Sequence, residues 1–374
     1  SLGELWQRQA LWFCVGLVAL LVAVLIDFRV HLRHAYLYYG LVLVVLLLTE
    51  VYGTQVYGSK SWLALPGLGT RFQPSEFAKL AVILLLANVL AKREGEISGL
   101  RDLGWPLALV AIPALLILRQ PDLGTALVLV PIALGMFYMA GLPWVYLVLF
   151  VAPLAGFLAL AAGSGATVLW MAGLILITYL MRRQAVPIVD RLVFWVLYVG
   201  AYAGMPRLWE ALKPHQKSRF LVFWDPSFEL DGAGYNLLQS KIAIGSGGFL
   251  GKGFGRGTQT RLEFLPQFHT DFTFAVLAED WGFVGCILFF ALFLALLYLC
   301  LRIARGTRDY SGGLLAGGIA IYFLTHFAVN VGMAMGMLPV TGLPLSFLSY
   351  GGSHLLVCLI GIGLVLNVKL RRFQ

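Results

Sequence analysis

Eleven runs of mostly apolar residues, separated by short charged or Gly- and Pro-containing breaks, dominate this 374-residue chain. They cover roughly 10–27, 35–51, 76–91, 104–119, 123–140, 144–162, 166–182, 187–204, 272–301, 313–335 and 352–368. A run of about 17–25 apolar residues, coiled as a helix, matches the hydrocarbon thickness of a bilayer. Lipid offers no partner to a backbone amide, so such runs must close their own hydrogen bonds. The chain therefore reads as an all-α polytopic integral membrane protein. Only 12% of residues are charged, against about a quarter in soluble domains, which excludes an ordinary soluble enzyme. The run 272–301 is long enough to tilt or to extend past the membrane. The first run lacks the basic flank and small-residue cleavage site of a secretory signal.

The net charge of +9 acquires meaning from its location. Fourteen of the 27 basic residues fall in five short segments: 28–34, 92–102, 182–191, 301–309 and the C-terminal tail. Alternating spans put all five on one side, and Lys and Arg in short loops mark the cytoplasm. Membrane orientation thus accounts for the excess without nucleic acid. The opposite face receives 52–75, 336–351 and the long segment 205–271. This divides one integral membrane domain into N-terminal helices (1–204), a large extracytoplasmic segment (205–271) and C-terminal helices (272–374). Eleven spans with a cytoplasmic tail place the N-terminus outside; one further helix upstream of this sequence would restore an even number. Cys14, Cys286, Cys300 and Cys358 lie in or beside apolar runs without metal-ligand spacing, so neither a disulfide framework nor a zinc site is expected.

Ionisable groups in a membrane protein are costly and are functional candidates. Asp271, in His269-Thr270-Asp271-Phe272, opens an apolar run near the outer interface. Partial desolvation there makes a carboxylate a better base, although Thr270 or Asp271 would also suit a helix N-cap. Glu76 and Lys79 follow Gln73-Pro74-Ser75 at a helix start, and their i,i+3 spacing puts them on one face. They suit a structural ion pair, or a lysine meeting a phosphate. Asp122, in Arg119-Gln120-Pro121-Asp122-Leu123-Gly124-Thr125, suits a helix cap. Three helix N-termini, near 75, 122 and 271, converge on the outer side and favour an anion.

Residues 245–257 contain seven glycines together with Lys252 and Arg256. Ser246 stands where a Walker A loop requires glycine, and no βαβ unit surrounds the run. It reads as a flexible loop, or as a basic loop whose amides and cations hold a diphosphate. Phe223-Trp224-Asp225-Pro226, followed by Gln239, Ser240 and Lys241, reads as interfacial structure. Gly351-Gly352-Ser353, after Leu343-Pro344-Leu345-Ser346-Phe347-Leu348-Ser349-Tyr350, breaks a helix, as happens where backbone lines a cavity.

Together these segments resemble the SEDS (shape, elongation, division and sporulation) family of bacterial cell-wall proteins. The resemblance rests on Gln239-Ser240-Lys241-Ile242-Ala243-Ile244-Gly245-Ser246-Gly247-Gly248, Gly257-Thr258-Gln259, Glu263-Phe264-Leu265-Pro266 and His269-Thr270-Asp271-Phe272. Gln73-Pro74-Ser75-Glu76, Gln120-Pro121-Asp122-Leu123-Gly124-Thr125 and Ser349-Tyr350-Gly351-Gly352-Ser353 complete it. Within the family the sequence is more similar to the elongation branch than to the division branch. The resemblance implies a SEDS-type bundle of about ten core helices, with the family's first helix missing and an extra pair at 166–204, peripheral to the site. It implies a peptidoglycan glycosyltransferase that polymerises lipid II on the outer face of the cytoplasmic membrane. Its partners would be the lipid II donor and growing glycan strand, a class B penicillin-binding protein and other elongation-complex membrane proteins. Asp271, carried over from the family motif, would be the general base. Lys79, Glu76, Lys252, Arg256, Gln239, His269, Asp122 and Ser353 would bind substrate or its diphosphate. No cofactor is required; a Mg²⁺ or other divalent ion, held by Glu76 or Asp271, would help neutralise the leaving group. Two rivals stand beside this reading. A lipid II flippase would need a polar path through the whole membrane, and a non-catalytic scaffold of the wall-synthesis complex would need no base.

Overall fold

The computed structural model describes residues 2–373, except 57–58, 66–69, 94–96, 98, 149, 152–163, 185, 212–216, 219–220, 224, 226–231, 263 and 266–267. Much of the 144–162 run, together with Trp224, Pro226, Glu263 and Pro266, lies outside the described residues. In chain order the helices are α1 (Leu2–Leu25), α2 (Phe28–Arg33), α3 (Ala35–Tyr52), α4 (Pro74–Ala91), α5 (Leu100–Arg119) and α6 (Leu123–Met139). Then follow α7 (Ser164–Arg183), α8 (Ile188–Ala211), α9 (Ala233–Gly247), α10 (Thr258–Arg261), α11 (Thr273–Gly306), α12 (Tyr310–Ala334) and α13 (Gly352–Leu370). Seven of these (α1, α3, α4, α5, α11, α12 and α13) are long and apolar enough to cross a membrane. The 52–75 loop departs from an all-helical reading. Thr54–Val56, Ser59–Leu65 and Thr70–Phe72 (β1–β3) form a small antiparallel sheet in the order β1-β2-β3.

Helix α4 is the centre of the bundle: 83% of its apolar window is buried, against 11% for α1. That contrast follows from small and polar residues. Ala78, Ala81 and Ala87 of α4 and Gly317 and Gly318 of α12 let helices approach closely. The rim helices instead present Leu, Val and Phe outward.

Hydrogen bonds sort the connecting segments into two ends, matching the partition read from charge. At the basic end Asn367 accepts from the Phe28 amide at 3.0 Å and donates to Ala23 and Ile26 carbonyls. Arg371 reaches Asp27 at 3.4 Å, and Arg29 reaches Asp309 at 3.0 Å. At the other end the Lys60 amide donates to the Gln120 carbonyl and the Tyr350 amide to the His269 carbonyl. The pair α7–α8 is fastened at the basic end, where Asp190 accepts from the Tyr146 hydroxyl at 2.6 Å and the Leu100 amide at 3.2 Å.

Asp309 gives the basic end a pH dependence. Burial alone would raise its carboxyl, but the Ser311 hydroxyl, Arg29 and the Gly312 amide outweigh burial and hold it below the ordinary value. A carboxyl lowered on folding stabilises fully above its unfolded pKa and stops contributing as pH falls through its folded pKa. Thermal melts of Asp309→Asn are therefore expected to lose less stability than wild type between pH 5 and pH 3, about that carboxylate window.

Helix α11 is two helices joined at Gly282, whose φ of 63° and ψ of −162° are open to glycine alone. The break frees backbone groups, and the glycine-rich loop takes them. The amides of Phe283 and Val284 donate to Gly248 and Phe249 carbonyls, while the carbonyls of Glu279 and Asp280 accept from Lys252 and Gly253 amides. A Cβ on Gly282 would run into the Gly251 amide. Gly282→Ala should therefore cost at least ~2 kcal/mol, read as a lowered melting temperature in detergent.

Candidate active site

The turn preceding α11 is held by its backbone. The Asp271 carbonyl accepts from Asn330 Nδ2 at 2.8 Å, and the Thr270 carbonyl from Ser349 Oγ at 2.6 Å. With Tyr350 on His269 at 2.8 Å, three successive carbonyls are tied to α12 or to the 341–351 segment. The half-buried Asp271 side chain lies beside Gly342, where a Cβ would stand 3.2 Å from Oδ2. The helix N-cap position falls on Phe272, with no side-chain cap bond.

The start of α4 meets that of α6. Asp122 caps α6 by accepting from the Thr125 amide at 3.1 Å, and also accepts from Gln73 Nε2 and Ser75 Oγ at 3.1 and 3.3 Å. Ser353 Oγ accepts from the Gln73 amide at 3.0 Å. The N-termini joined directly are thus those of α4, α6 and α13. Thr341 and Gly342 bridge this group to Asp271, since the Thr341 carbonyl packs on Gly124. Asp122 and Ser353 join helix ends in these bonds.

Glu76 and Lys79 form a buried pair, with Lys79 Nζ 2.6 Å from Glu76 Oε1 and side chains 0% and 2% exposed. Two histidines absent from the sequence nominations complete it. His326 Nε2 lies 3.0 Å from Lys79 Nζ, and His354 Nδ1 lies 2.8 Å from Glu76 Oε2. An ammonium can only donate, so His326 Nε2 accepts and its Nδ1 proton goes to the Pro344 carbonyl, 2.9 Å away. Lys79 is therefore enclosed by protein groups: Glu76 balances its charge, and Glu76 and His326 take two of its donors. The signal for the histidines was present, since each is an ionisable residue inside an apolar run.

The glycine-rich loop is also partnered within the chain. Its amides face carboxylates of the chain itself: Gly255 and Gly257 donate to Asp280 at 2.9 and 3.1 Å, and Gln259 donates to Glu279 at 3.2 Å. Lys252 Nζ lies 2.7 Å from Glu279 Oε1, whose side chain is fully buried. The anion that the loop composition calls for is thus built into α11. Arg256 is exposed, Gln239 is half-buried on α9, and His269 contributes its carbonyl to Tyr350.

Among the described residues, Glu76, His326 and His354 place three ligand-type atoms within 4.8 Å of one another. They do not fit a metal ion. Lys79 already supplies the cation to Glu76 and His326, and a divalent ion there would face an ammonium at close range. Asp271 is not in this group.

A polytopic helical bundle with a fixed carboxylate at one end and a buried Glu–Lys–His network beneath it defines a membrane protein with an enzyme-like site. The chain belongs to the FtsW/RodA/SpoVE family of cell cycle proteins, whose model matches residues 3–373. It is 37% identical over 393 residues to the peptidoglycan glycosyltransferase RodA of Treponema pallidum, covering 98% of this chain and 90% of the relative. Against the peptidoglycan glycosyltransferase MrdB of Escherichia coli K12 it is 35% identical over 367 residues, covering 98% and 86%. A solved chain described for the coordination of polymerization and crosslinking by a peptidoglycan synthase complex superposes with a TM-score of 0.74 at 30% identity. That likeness covers 99% of this chain and 91% of the other.

Proposed function

We propose that this chain is a peptidoglycan glycosyltransferase of cell elongation, polymerising lipid II at the outer face of the cytoplasmic membrane. The observation that carries this reading is Asp271: a carboxylate on a turn clamped through its backbone, in a family whose relatives carry that activity in their names. The donor sugar is α-linked to a polyprenyl diphosphate and the product is β-1,4-linked, so one direct displacement suffices. The acceptor 4-hydroxyl oxygen bonds to the anomeric carbon as Asp271 takes its proton. The anomeric C–O bond breaks, and the polyprenyl diphosphate leaves with the electron pair. The exposed Arg256 and the N-termini gathered near Gln73, Asp122 and Ser353 favour the negative charge. An apolar groove of about 490 Å³ along α5, lined by Ile112, Leu115, Leu116 and Leu118 and ending at Arg119, suits the polyprenyl chain. A class B penicillin-binding protein is the proposed partner, which the likeness to a synthase-complex chain supports.

The flippase reading is disfavoured by α4. Beyond Lys79 its next eight residues, Leu80 to Ala87, are apolar and buried, which is no lining for a polar headgroup. The test is to supply lipid II to the purified protein with a partner whose cross-linking site is blocked. Strands that a β-1,4-muramidase cuts are expected; transbilayer movement of lipid II without any polymer would overturn the proposal.

A further inference from the structure

Helix α12 carries His326 and Asn330 four residues apart, and therefore on one face; both are fully buried. Each bonds to the 341–345 segment. His326 Nδ1 donates to the Pro344 carbonyl at 2.9 Å, and Asn330 Nδ2 donates to the Leu343 carbonyl at 2.7 Å. The same Asn330 amide donates to the Asp271 carbonyl, while His326 Nε2 accepts from Lys79. One helix face thus ties the buried Glu76–Lys79 pair, the 341–345 segment and the Asp271 turn together. Gly342, at φ +74°, is the point of that segment which stands against the Asp271 carboxylate.

We infer that His326 and Asn330 are positioning residues: they hold Asp271 and the Gly342 backbone in a fixed mutual geometry, braced on the buried Glu76–Lys79 pair. The inference rests on the reading of Asp271 as the base. It gives the buried pair a role in the reaction without contact to substrate. Lys79 fixes His326, His326 fixes Pro344, and Asn330 fixes Leu343 and Asp271. Polarity supports the order, because an ammonium can only donate and a carbonyl can only accept, which leaves His326 a single tautomer.

His326 has two bonds that can be removed one at a time. The amide of His326→Asn sits near the former Nδ1 and keeps a donor for Pro344. The longer His326→Gln presents its oxygen near the former Nε2 and keeps the Lys79 bond alone. Initial rates of lipid II polymerisation by the full chain with its partner are to be measured for these variants and for Asn330→Ala. Asn330→Ala and His326→Gln are expected to lower kcat about 10- to 100-fold, since small misplacements of a catalytic group cost that much. KM for lipid II should stay within about twofold, and His326→Asn, which keeps the Pro344 bond but loses the brace from Lys79, should fall between wild type and His326→Gln. Added to Asp271→Asn, Asn330→Ala should change the residual rate by less than about twofold, because it acts through a base no longer present. Wild-type kcat in both Asn330→Ala and His326→Gln would overturn the inference. So would a fall in the Asp271→Asn background equal to that in wild type, which is the mark of general structural damage. A wild-type rate for Asp271→Asn alone would remove the base reading, and this inference with it, and is read from that single variant.

Discussion

Lys79→Met is expected to destabilise the protein by about 3–5 kcal/mol, the usual cost of stripping one partner from a buried ion pair. The Glu76 carboxylate, 2% exposed, would keep His354 but lose the ammonium at 2.6 Å. The His326 Nε2 lone pair would lose its donor as well. Glu76→Gln should be costly for the same reason in reverse. The double replacement, Glu76→Gln with Lys79→Met, should recover much of the loss, because it leaves no uncompensated charge. Melting temperatures of the four proteins in one detergent check this. If Lys79 instead gripped a diphosphate, Lys79→Met would melt like wild type and show only a raised KM.

The second large effect is on the reaction. Asp271→Asn keeps the size of the side chain and removes its capacity to take a proton. A positioned general base contributes about 10²- to 10⁴-fold, and a loss in that range is expected. The variant should fold normally, since the clamps on this turn reach the carbonyls of His269, Thr270 and Asp271.

Sequence legibility followed the physics of each element. The apolar runs found α4, α12 and α13 closely, because helix length in lipid is set by bilayer thickness. Basic residues in short loops sorted the connections into two groups, and the bonds of Asn367, Arg29 and Arg371 at one end are consistent with that sorting. Asp122 was legible as a cap because an Asp before Leu-Gly-Thr has a local role. The small sheet at 54–72 was not legible, since a few short strands carry too little alternation to separate from a loop.

The glycine-rich segment read as a flexible loop or as a basic loop for an anion, and its amides and Lys252 meet carboxylates of the chain itself. Its anions, Glu279 and Asp280, sit inside an apolar run that read only as a span. Two adjacent carboxylates followed by Gly282 in such a run were the signal for a break. His326 and Asn330 were missed for a related reason: apolar neighbours made α12 read as scaffold. Their partners lie on α4 and in the 341–345 segment, and no local pattern announces a bond across such sequence distance.

The measurement that bears most directly on the central claim is the initial rate of lipid II polymerisation by wild type and Asp271→Asn. It should be made with the same partner, with melting temperature and partner co-purification recorded on the same preparations. A rate at least about 100-fold lower, with both controls unchanged, is the predicted result. Asp271→Asn polymerising within about twofold of wild type would contradict the account and place the base elsewhere.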